Sequence, residues 1–338
     1  MSVRKSLSGG VTLAQVARIA GVSDITVSRV LRANVPVSAE TRDRVLEAVQ
    51  ATGYVHNRLA GALASAHSNL VGVVLPSLSN NVFPEVMEGI NAALARSGYQ
   101  PVVGVTNYDL AVEQELIHAM LAWKPAALIL TGLEHTREAD RMLEGSGIRV
   151  IEIMDIDERP IDLAIGLSHR KAGAAVARHL IAKGYRRFGY VGHDLRLDRR
   201  AAARRQGFYG YLAEQGLYAP IEHLTGGPSS IRAGSEGLRR LLEQTSDCDV
   251  VVFSNDDMAV GGVFHCLKAG IDLPAQLGIF GFNGLDIGQA LPQPLSTIRS
   301  NRQRIGQLAV EAFLTTSRRP EEREIIDTGF EIIPGETA

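Results

Sequence analysis

The spacing of hydrophobic positions changes character near residue 70 of this 338-residue chain. Before that point, apolar residues recur every three to four positions, which predicts short amphipathic helices. One helix is expected after Thr12, a second after Ser23 and a third from about Ser38, since Ser and Thr are favoured at helix N-caps. Gly21-Val22-Ser23 separates the first two helices. Two helices joined by a short turn containing Gly are typical of a helix-turn-helix.

From Leu70 onward, short β-rich apolar runs alternate with amphipathic helical stretches that stop at glycine. Strands that are apolar almost throughout predict parallel sheets with helices on both faces. The βα units are too many for one sheet and divide near residue 168 into similar halves, so we expect an α/β body of two lobes with a cleft between them. The predicted strands are Val71–Leu75, Pro101–Val105, Ala127–Thr131, Arg149–Ile153, Phe188–Val191, Val250–Ser254 and Gly278–Phe282.

Composition and charge fit a globular protein with a small basic end. Hydrophobic residues make up 45% of the chain, but no apolar run approaches the ~18 residues that span a bilayer. The N-terminus lacks the apolar core of a secretory signal, so we expect a cytoplasmic protein without membrane contact. Residues 1–65 hold eight Arg and Lys against four acidic residues, whereas the remainder holds 27 against 33. A basic head on an acidic body is typical of a DNA-binding module.

Three segments near the N-terminus are highly characteristic. Residues 11–31 read VTLAQVARIAGVSDITVSRVL, residues 37–42 read VSAETR, and residues 53–60 read GYVHNRLA. Together they resemble the helix-turn-helix head of the LacI-type (lactose/purine repressor) family, and the resemblance extends over the whole chain. It implies a sequence-specific transcriptional repressor whose periplasmic-binding-protein-like, doubly wound body binds a small effector.

The second helix has the length needed to enter the major groove of DNA. Val27 and Val30 are expected to pack inward, and exposed Arg29 can bind a guanine through two hydrogen bonds. Asp24 either accepts a hydrogen bond from a cytosine amino group or only stabilises the helix N-terminus. The expected base-reading residues are Asp24, Ile25, Thr26, Ser28 and Arg29. The expected phosphate contacts are Thr12, Ser23, Asn34, Ser38 and Thr41.

Residues 57–64, which read NRLAGALA, resemble the hinge helix of the same family. The resemblance implies that Leu63 wedges between base steps in the minor groove. An octapeptide containing Gly61 is only marginally helical in water, so DNA can order it and a ligand can disorder it. A plain interdomain linker is the alternative. The DNA contacts expected here are Asn57, Arg58, Ala60 and Leu63.

Loops that follow predicted strands are expected to line a ligand cleft, because the carboxyl ends of parallel strands face the crevice of an open sheet. Four such loops, 76–85, 192–205, 254–257 and 282–286, match effector-contacting segments of the family. Arg199 or Arg200 can clamp a carboxylate through two hydrogen bonds. Asn283 replaces the aspartate usual in the family, which removes a charge that would repel an anion.

The identity of the effector follows from the same loops. Residues 80–85, 255–261 and 282–289, with Met120-Leu121-Ala122-Trp123, resemble the gluconate-responsive branch of the family. A sugar acid such as gluconate, free or phosphorylated, is therefore the expected effector. For Asp256 and Asp286, helix capping is an alternative to ligand contact. The expected effector-binding residues are Phe83, Arg199, Arg200, Asp256, Asn283 and Asp286.

Sequence motifs of common enzyme classes are missing. Neither a GxxxxGK[ST] phosphate loop nor HExxH nor GxSxG occurs, and the nine histidines lack metal-ligand spacing. We therefore expect no catalysis, no cofactor and no metal. A non-exported sugar-binding protein is an alternative that the basic head disfavours, whereas a ligand-dependent activator would carry the same residues.

The expected organisation is a helix-turn-helix head over 11–56, a hinge helix and linker over 57–69, and a body over 70–338. The first lobe is expected at about 70–168 and 299–325, and the second at about 169–298 and 326–338. A homodimer would present two heads to a near-palindromic operator. Its half-sites would lie about one helical turn apart, ~34–36 Å, or a multiple of that.

Overall fold

The computed structural model describes residues 11–32, 36–55, 68–245, 247–315 and 322–338. The chain divides into two compact units, residues 1–68 and 69–338. The described part of the first unit folds into α1 (Leu13–Ala20), α2 (Asp24–Arg32) and α3 (Ala39–Thr52). None of the helices in these ranges is long and apolar enough to cross a membrane.

A hydroxyl side chain precedes each of α1, α2 and α3. Thr12 Oγ1 accepts a hydrogen bond from the backbone amide of Gln15 at 3.3 Å, and the Thr12 amide donates to the Gln15 side chain at 2.8 Å. This reciprocal pair is a capping box. Ser23 and Ser38 accept in the same way from the amides three residues further on. Gly21 ends α1 with a φ of +66°, so the predicted helix-turn-helix is confirmed.

The second unit contains two parallel sheets. The first has the strand order β11-β5-β4-β3-β1-β2 and the second the order β7-β6-β8-β9, while β10 and β12 form an antiparallel pair. The strands of the first sheet are β1 (Leu70–Leu75), β2 (Gln100–Val105), β3 (Ala127–Thr131), β4 (Arg149–Ile153), β5 (Leu163–Gly166) and β11 (Glu324–Asp327). The other strands are β6 (Phe188–Gly192), β7 (Ile221–Leu224), β8 (Val250–Phe253), β9 (Gly278–Phe280), β10 (Thr297–Ser300) and β12 (Phe330–Ile333).

Helices cover both faces of each parallel sheet. The helices of the body are α4 (Val82–Leu94), α5 (Leu110–Ala122), α6 (Arg137–Gly145), α7 (His169–Ala182), α8 (Arg199–Glu214), α9 (Ile231–Gln244), α10 (Asp256–Ala269), α11 (Asp286–Gln289) and α12 (Arg302–Thr315). Apolar residues of α4 and α12 pack on one face of the first sheet, and those of α5 and α6 pack on the other. The second sheet lies between α7 with α8 and α9 with α10. The α/β body with doubly covered parallel sheets is therefore confirmed.

Paired helices approach so closely that only glycine fits between them. A Cβ atom on Gly306 of α12 would lie 2.2 Å from the carbonyl oxygen of Val86 in α4. A Cβ atom on Gly173 of α7 would lie 1.9 Å from the carbonyl oxygen of Arg204 in α8. Because backbone meets backbone at these points, neither pair can accept a side chain without moving apart.

Five strands of the body, β5, β7, β10, β11 and β12, were not predicted. Each has four residues, and polar or charged residues interrupt the apolar run in β7, β10, β11 and β12. β5, which reads LAIG, is apolar but was not recognised. The chain passes between the sheets after β5, after β10 and after β11, at positions that the sequence placed near 168, 298 and 325. We call residues 69–166, 302–315 and 322–327 the first lobe, and residues 169–300 and 330–338 the second lobe.

Candidate effector cleft and nucleic-acid interface

A cleft of about 600 Å³ lies between the two lobes. Loops that follow β1, β2, β3 and β4 line it from the first lobe. Arg170 and residues 196–200, 202, 203 and 206 line it from the second. In each parallel sheet the connections leave in opposite directions on either side of one strand, β1 in the first and β6 in the second. The cleft therefore occupies the position where open α/β sheets bind their ligands.

The two walls of the cleft differ in charge. Apart from Asp198, the charged side chains of the second lobe are arginines, whereas those of the first lobe, apart from His135, are carboxylates. Arg199 Nη2 lies 2.8 Å from Glu134 Oε1, and Arg170 Nη2 lies 3.1 Å from Glu158 Oε1. These exposed pairs contribute little to stability. The acidic lining residues are Glu113, Glu134, Asp140, Asp155, Asp157 and Glu158, and the basic ones are Arg170, Arg196, Arg199 and Arg200.

Arg200 differs from the other arginines of the lining in its burial. Its side chain is 13% exposed, whereas that of Arg196 is 88% exposed. The guanidinium carbon lies 5.6 Å from the centre of the Phe83 ring, and Nε lies 3.6 Å from Asp198 Oδ1. Nη1 is buried and finds no hydrogen-bond acceptor among the described residues. A buried donor without an acceptor is costly, more so on a charged group, so this nitrogen favours an added anionic acceptor.

Asp198 holds the start of α8, and with it Arg199 and Arg200, in place. Its Oδ1 accepts a hydrogen bond from the Ala201 amide at 3.1 Å, which caps the helix. Burial acts to raise the pKa of Asp198, but the interaction with His193 and the positive charge of Arg200 outweigh it and hold the pKa well below its usual value. The carboxylate is therefore charged and serves as a fixed anchor for the arginines.

Tyr108 and Asp155 add neutral and weakly acidic groups to the first-lobe wall. The Tyr108 hydroxyl accepts a hydrogen bond from Asn80 Nδ2 at 3.3 Å, and burial raises the pKa of Tyr108. Burial likewise raises the pKa of Asp155 to about 6. A phenol and a carboxyl group opposite a guanidinium provide the donors and acceptors that ligand hydroxyl groups require.

His135 forms a buried charged cluster beneath the first-lobe wall. Its Nδ1 donates to Glu113 Oε1 at 2.5 Å, and its Nε2 lies 3.4 Å from Glu152 Oε1. Burial acts to lower the pKa of His135, but the two carboxylates outweigh it and raise the pKa to about 10. His135 is therefore a cation at neutral pH, and it holds Glu113 at the cleft surface.

This cluster predicts a loss of stability in alkaline solution. His135 has a higher pKa in the folded protein than in the unfolded chain, so its contribution is complete below pH ~6.5 and is lost as the pH rises toward 10. Between these limits the free energy of unfolding should fall by up to ~1.4 kcal/mol per pH unit from this group. Urea unfolding of the wild type and of His135→Gln at several pH values measures the difference. The exposed His118, on the same helix as Glu113, provides the control: His118→Gln should keep the wild-type slope, and an identical slope in His135→Gln would contradict the assignment.

The structure places the predicted effector residues in two separate groups. Arg199 and Arg200 line the cleft, and Phe83 lies beneath Arg200. The other three are not among the residues that line this cleft. Asp256 is fully buried, and its two carboxylate oxygens accept hydrogen bonds from the Leu285 amide and from Thr297 Oγ1, each at 2.7 Å. Ligand contact by Asp256, Asn283 and Asp286 stays a prediction.

Several lining residues were missed at the sequence level. Tyr108, Glu134, His135 and Asp155 follow β2, β3 and β4, whose carboxyl ends face the cleft. The rule that identified four loops from the strands they follow therefore also applies to the three loops after β2, β3 and β4. Their strands were predicted correctly, so the signal was present but was not used.

The second helix of the head presents a polar and apolar surface suited to DNA. Val27 and Val30 are buried in the small core of the head, as predicted, whereas Ile25 is 66% exposed and Arg29 is exposed. Asp24 is also exposed, while Thr26 and Ser28 are half-buried. The hydroxyls of Ser23 and Thr26 lie 2.9 Å apart, as do those of Ser38 and Thr41. The predicted contacts Asn34, Asn57, Arg58, Ala60 and Leu63 lie outside the described residues.

A helix-turn-helix unit in one chain with a two-lobed, cleft-bearing body defines a ligand-responsive DNA-binding protein. The profile described as "Bacterial regulatory proteins, lacI family" matches residues 12–57. The profile described as "Periplasmic binding proteins and sugar binding domain of LacI family" matches residues 68–331. The chain therefore belongs to the LacI family of bacterial transcriptional regulators, as the sequence predicted.

Individual relatives agree with this assignment over nearly the full chain. The HTH-type transcriptional regulator GntR of Pseudomonas aeruginosa is 41% identical over 98% of this chain and 96% of its own. The regulator of the same name from Escherichia coli is 35% identical over 96% and 97%. The crystal structure of a LacI-family transcriptional regulator from Silicibacter pomeroyi has a TM-score of 0.91 at 43% identity, covering 97% of this chain and 99% of that one. These relatives are regulators rather than enzymes, which confirms the expectation of a non-catalytic protein.

Proposed function

We propose that this protein is a cytoplasmic repressor that binds a near-palindromic operator as a homodimer and whose operator affinity is controlled by a sugar acid of the gluconate type. The proposal for the effector rests on Arg200, which is buried in the cleft. Its Nη1 donates no hydrogen bond to any described residue. The similarity to two regulators named GntR supports the same branch of the family.

A carboxylate is the ligand group that fits this arrangement. Arg200 and the neighbouring Arg199 come from the first turn of α8, and a guanidinium binds a carboxylate through two parallel hydrogen bonds. The hydroxyl groups of a sugar acid then face the first-lobe wall, where Tyr108 and Asp155 offer a donor and an acceptor. A neutral sugar would leave the Arg200 nitrogen without its charged partner.

The DNA-binding part of the proposal depends on α2. Ile25 offers an apolar surface for a thymine methyl group, and Arg29 offers two donors for a guanine. Ser23 and Ser38 lie at the N-termini of α2 and α3, where backbone amides can donate hydrogen bonds to phosphate oxygens. The roles of Asn57, Arg58, Ala60 and Leu63 in a hinge helix remain predictions from the sequence.

The experiment measures DNA binding and effector binding by the same purified protein and asks whether one changes the other. Selection from random duplexes, followed by footprinting, should yield a near-palindrome with two related half-sites. Gluconate should then change the operator Kd and raise the melting temperature, whereas glucose, which lacks the carboxylate, should do neither. Tight calorimetric binding of neutral sugars without binding of sugar acids would reject the effector. Equal affinity for all duplexes, or an operator Kd unaffected by any ligand that binds, would reject the repressor.

A further inference from the structure

One arginine side chain joins the two lobes where the chain crosses between them for the second time. Arg302, the first residue of α12, is 2% exposed. It donates to the carboxylate of Glu85 from Nε at 3.0 Å and from Nη2 at 2.7 Å. Because the guanidinium is planar, two parallel hydrogen bonds fix the orientation of both groups. Glu85 lies in the first turn of α4, so this contact belongs to the first lobe.

The remaining arm of the same guanidinium reaches the second lobe. Arg302 Nη1 donates to the carbonyl oxygen of Asn283, in the loop that follows β9. One buried group therefore holds both lobes at once. The neighbouring ion pair of α12, Arg304 with Glu311 at 2.9 Å, lies within the helix and is exposed at both ends, so it provides a matched comparison.

The second-lobe end of this contact is rigid. Asn283 has a φ of +130°, an uncommon value for a residue other than glycine. The backbone amide of Asn283 donates a hydrogen bond to the carbonyl oxygen of Ile298 at 2.8 Å. The buried carboxylate of Asp256 holds the next turn of the loop through the Leu285 amide. The loop is therefore not free to follow Arg302, and a rotation between the lobes must break or rebuild a hydrogen bond of that side chain.

The first-lobe end of the contact adjoins the cleft. Phe83, which lies beneath Arg200, is in the same turn of α4 as Glu85. A change in the angle between the lobes therefore alters two contacts together, the one between Arg200 and Phe83 and the one between Arg302, which Glu85 orients, and Asn283. We infer that Arg302 is a positioning residue that sets the angle between the lobes and thereby the populations of the two cleft states that effector and operator distinguish. The inference rests on the proposed function, because only a regulator whose ligands prefer different states responds to such a change.

The test measures the angle between the lobes directly. Spin labels at Glu115→Cys and Glu214→Cys, which are exposed positions on different lobes, report their separation; the native Cys248 and Cys266 are buried. With no compound added, Glu85→Gln and Arg302→Lys should both shift or broaden the distance distribution, because each loses the paired hydrogen bonds. Glu311→Gln, which breaks only the surface pair of α12, should reproduce the wild type.

Binding measurements complete the test. Glu85→Gln and Arg302→Lys should change the gluconate Kd and the operator Kd together by at least about threefold, since ligands that share one conformational equilibrium are linked. A lower melting temperature with an unchanged distance distribution, in either variant, would show a purely structural role and overturn the inference. The distance measurement needs no ligand, so a failure of wild-type protein to bind gluconate or DNA counts against the proposed function alone.

Discussion

Arg200→Ala is expected to weaken gluconate binding by roughly 30-fold or more. Removing one member of a buried, hydrogen-bonded charge pair costs about 2–5 kcal/mol, and each 1.4 kcal/mol is a factor of about ten in Kd. Arg200 is the candidate for this pair because it is the least exposed arginine of the cleft lining and has a buried nitrogen without an acceptor among the described residues. Calorimetric titration of gluconate into wild type and variant measures the loss.

Arg196→Ala is the matched control for this prediction. Arg196 also lines the cleft, but its side chain is 88% exposed and pairs with Asp194 at 2.6 Å. Its removal should change the gluconate Kd by less than about threefold, as expected of a solvated charge. Equal losses in the two variants would show that only the overall charge of the second-lobe wall attracts the ligand. An unchanged Kd in Arg200→Ala would remove Arg200 from the effector site.

Arg29→Ala should weaken operator binding and relax the base preference at one position of each half-site. A bidentate contact with guanine accounts for about 1–3 kcal/mol of discrimination, which is roughly 5- to 150-fold. The Arg29 side chain is exposed on α2 beside Val30, which is buried in the core of the head, so the variant should fold normally. Binding of a panel of single-base operator variants identifies the position whose preference disappears.

Two comparisons separate base reading from general attraction to DNA. Arg44, exposed on α3, carries the same charge outside the recognition helix. Arg44→Ala should therefore affect all duplexes equally and leave the base preference intact.

Leu63→Ala should weaken specific binding far more than non-specific binding, because a wedge acts only where the DNA is deformed. Uniform losses on operator and random DNA for both Arg29→Ala and Leu63→Ala would contradict these roles.

The fold could be predicted where its causes are local. Thr12, Ser23 and Ser38 cap the helices that they were expected to cap, because a capping hydroxyl bonds an amide only a few residues away. The longer apolar strands were also recognised, because burial on both faces leaves a continuous apolar run in the sequence. β7 and β11 leave no such run, because charged and polar residues interrupt both, which read IEHL and EIID.

The candidate site could be predicted only in part. Arg199 and Arg200 were identified from a loop that follows a strand, and the same rule reaches Tyr108 and Asp155 when it is applied to every loop. Nothing in the sequence around Asp256 shows that both of its oxygens are used by Leu285 and Thr297. A carboxylate next to a predicted strand looks the same whether it faces a ligand or holds a distant loop.

The sequence by itself determined the helix-turn-helix, the alternation of strands and helices, the family and the branch from which a sugar acid was inferred. The tertiary structure decided which side chains meet: His135 lies between Glu113 and Glu152, and Arg302 pairs with Glu85 across 217 residues of chain. The sequence shows helix caps and buried strands because these features depend on neighbours within a few residues. Pairing of charges depends on where the lobes bring distant segments together, and no local pattern records that.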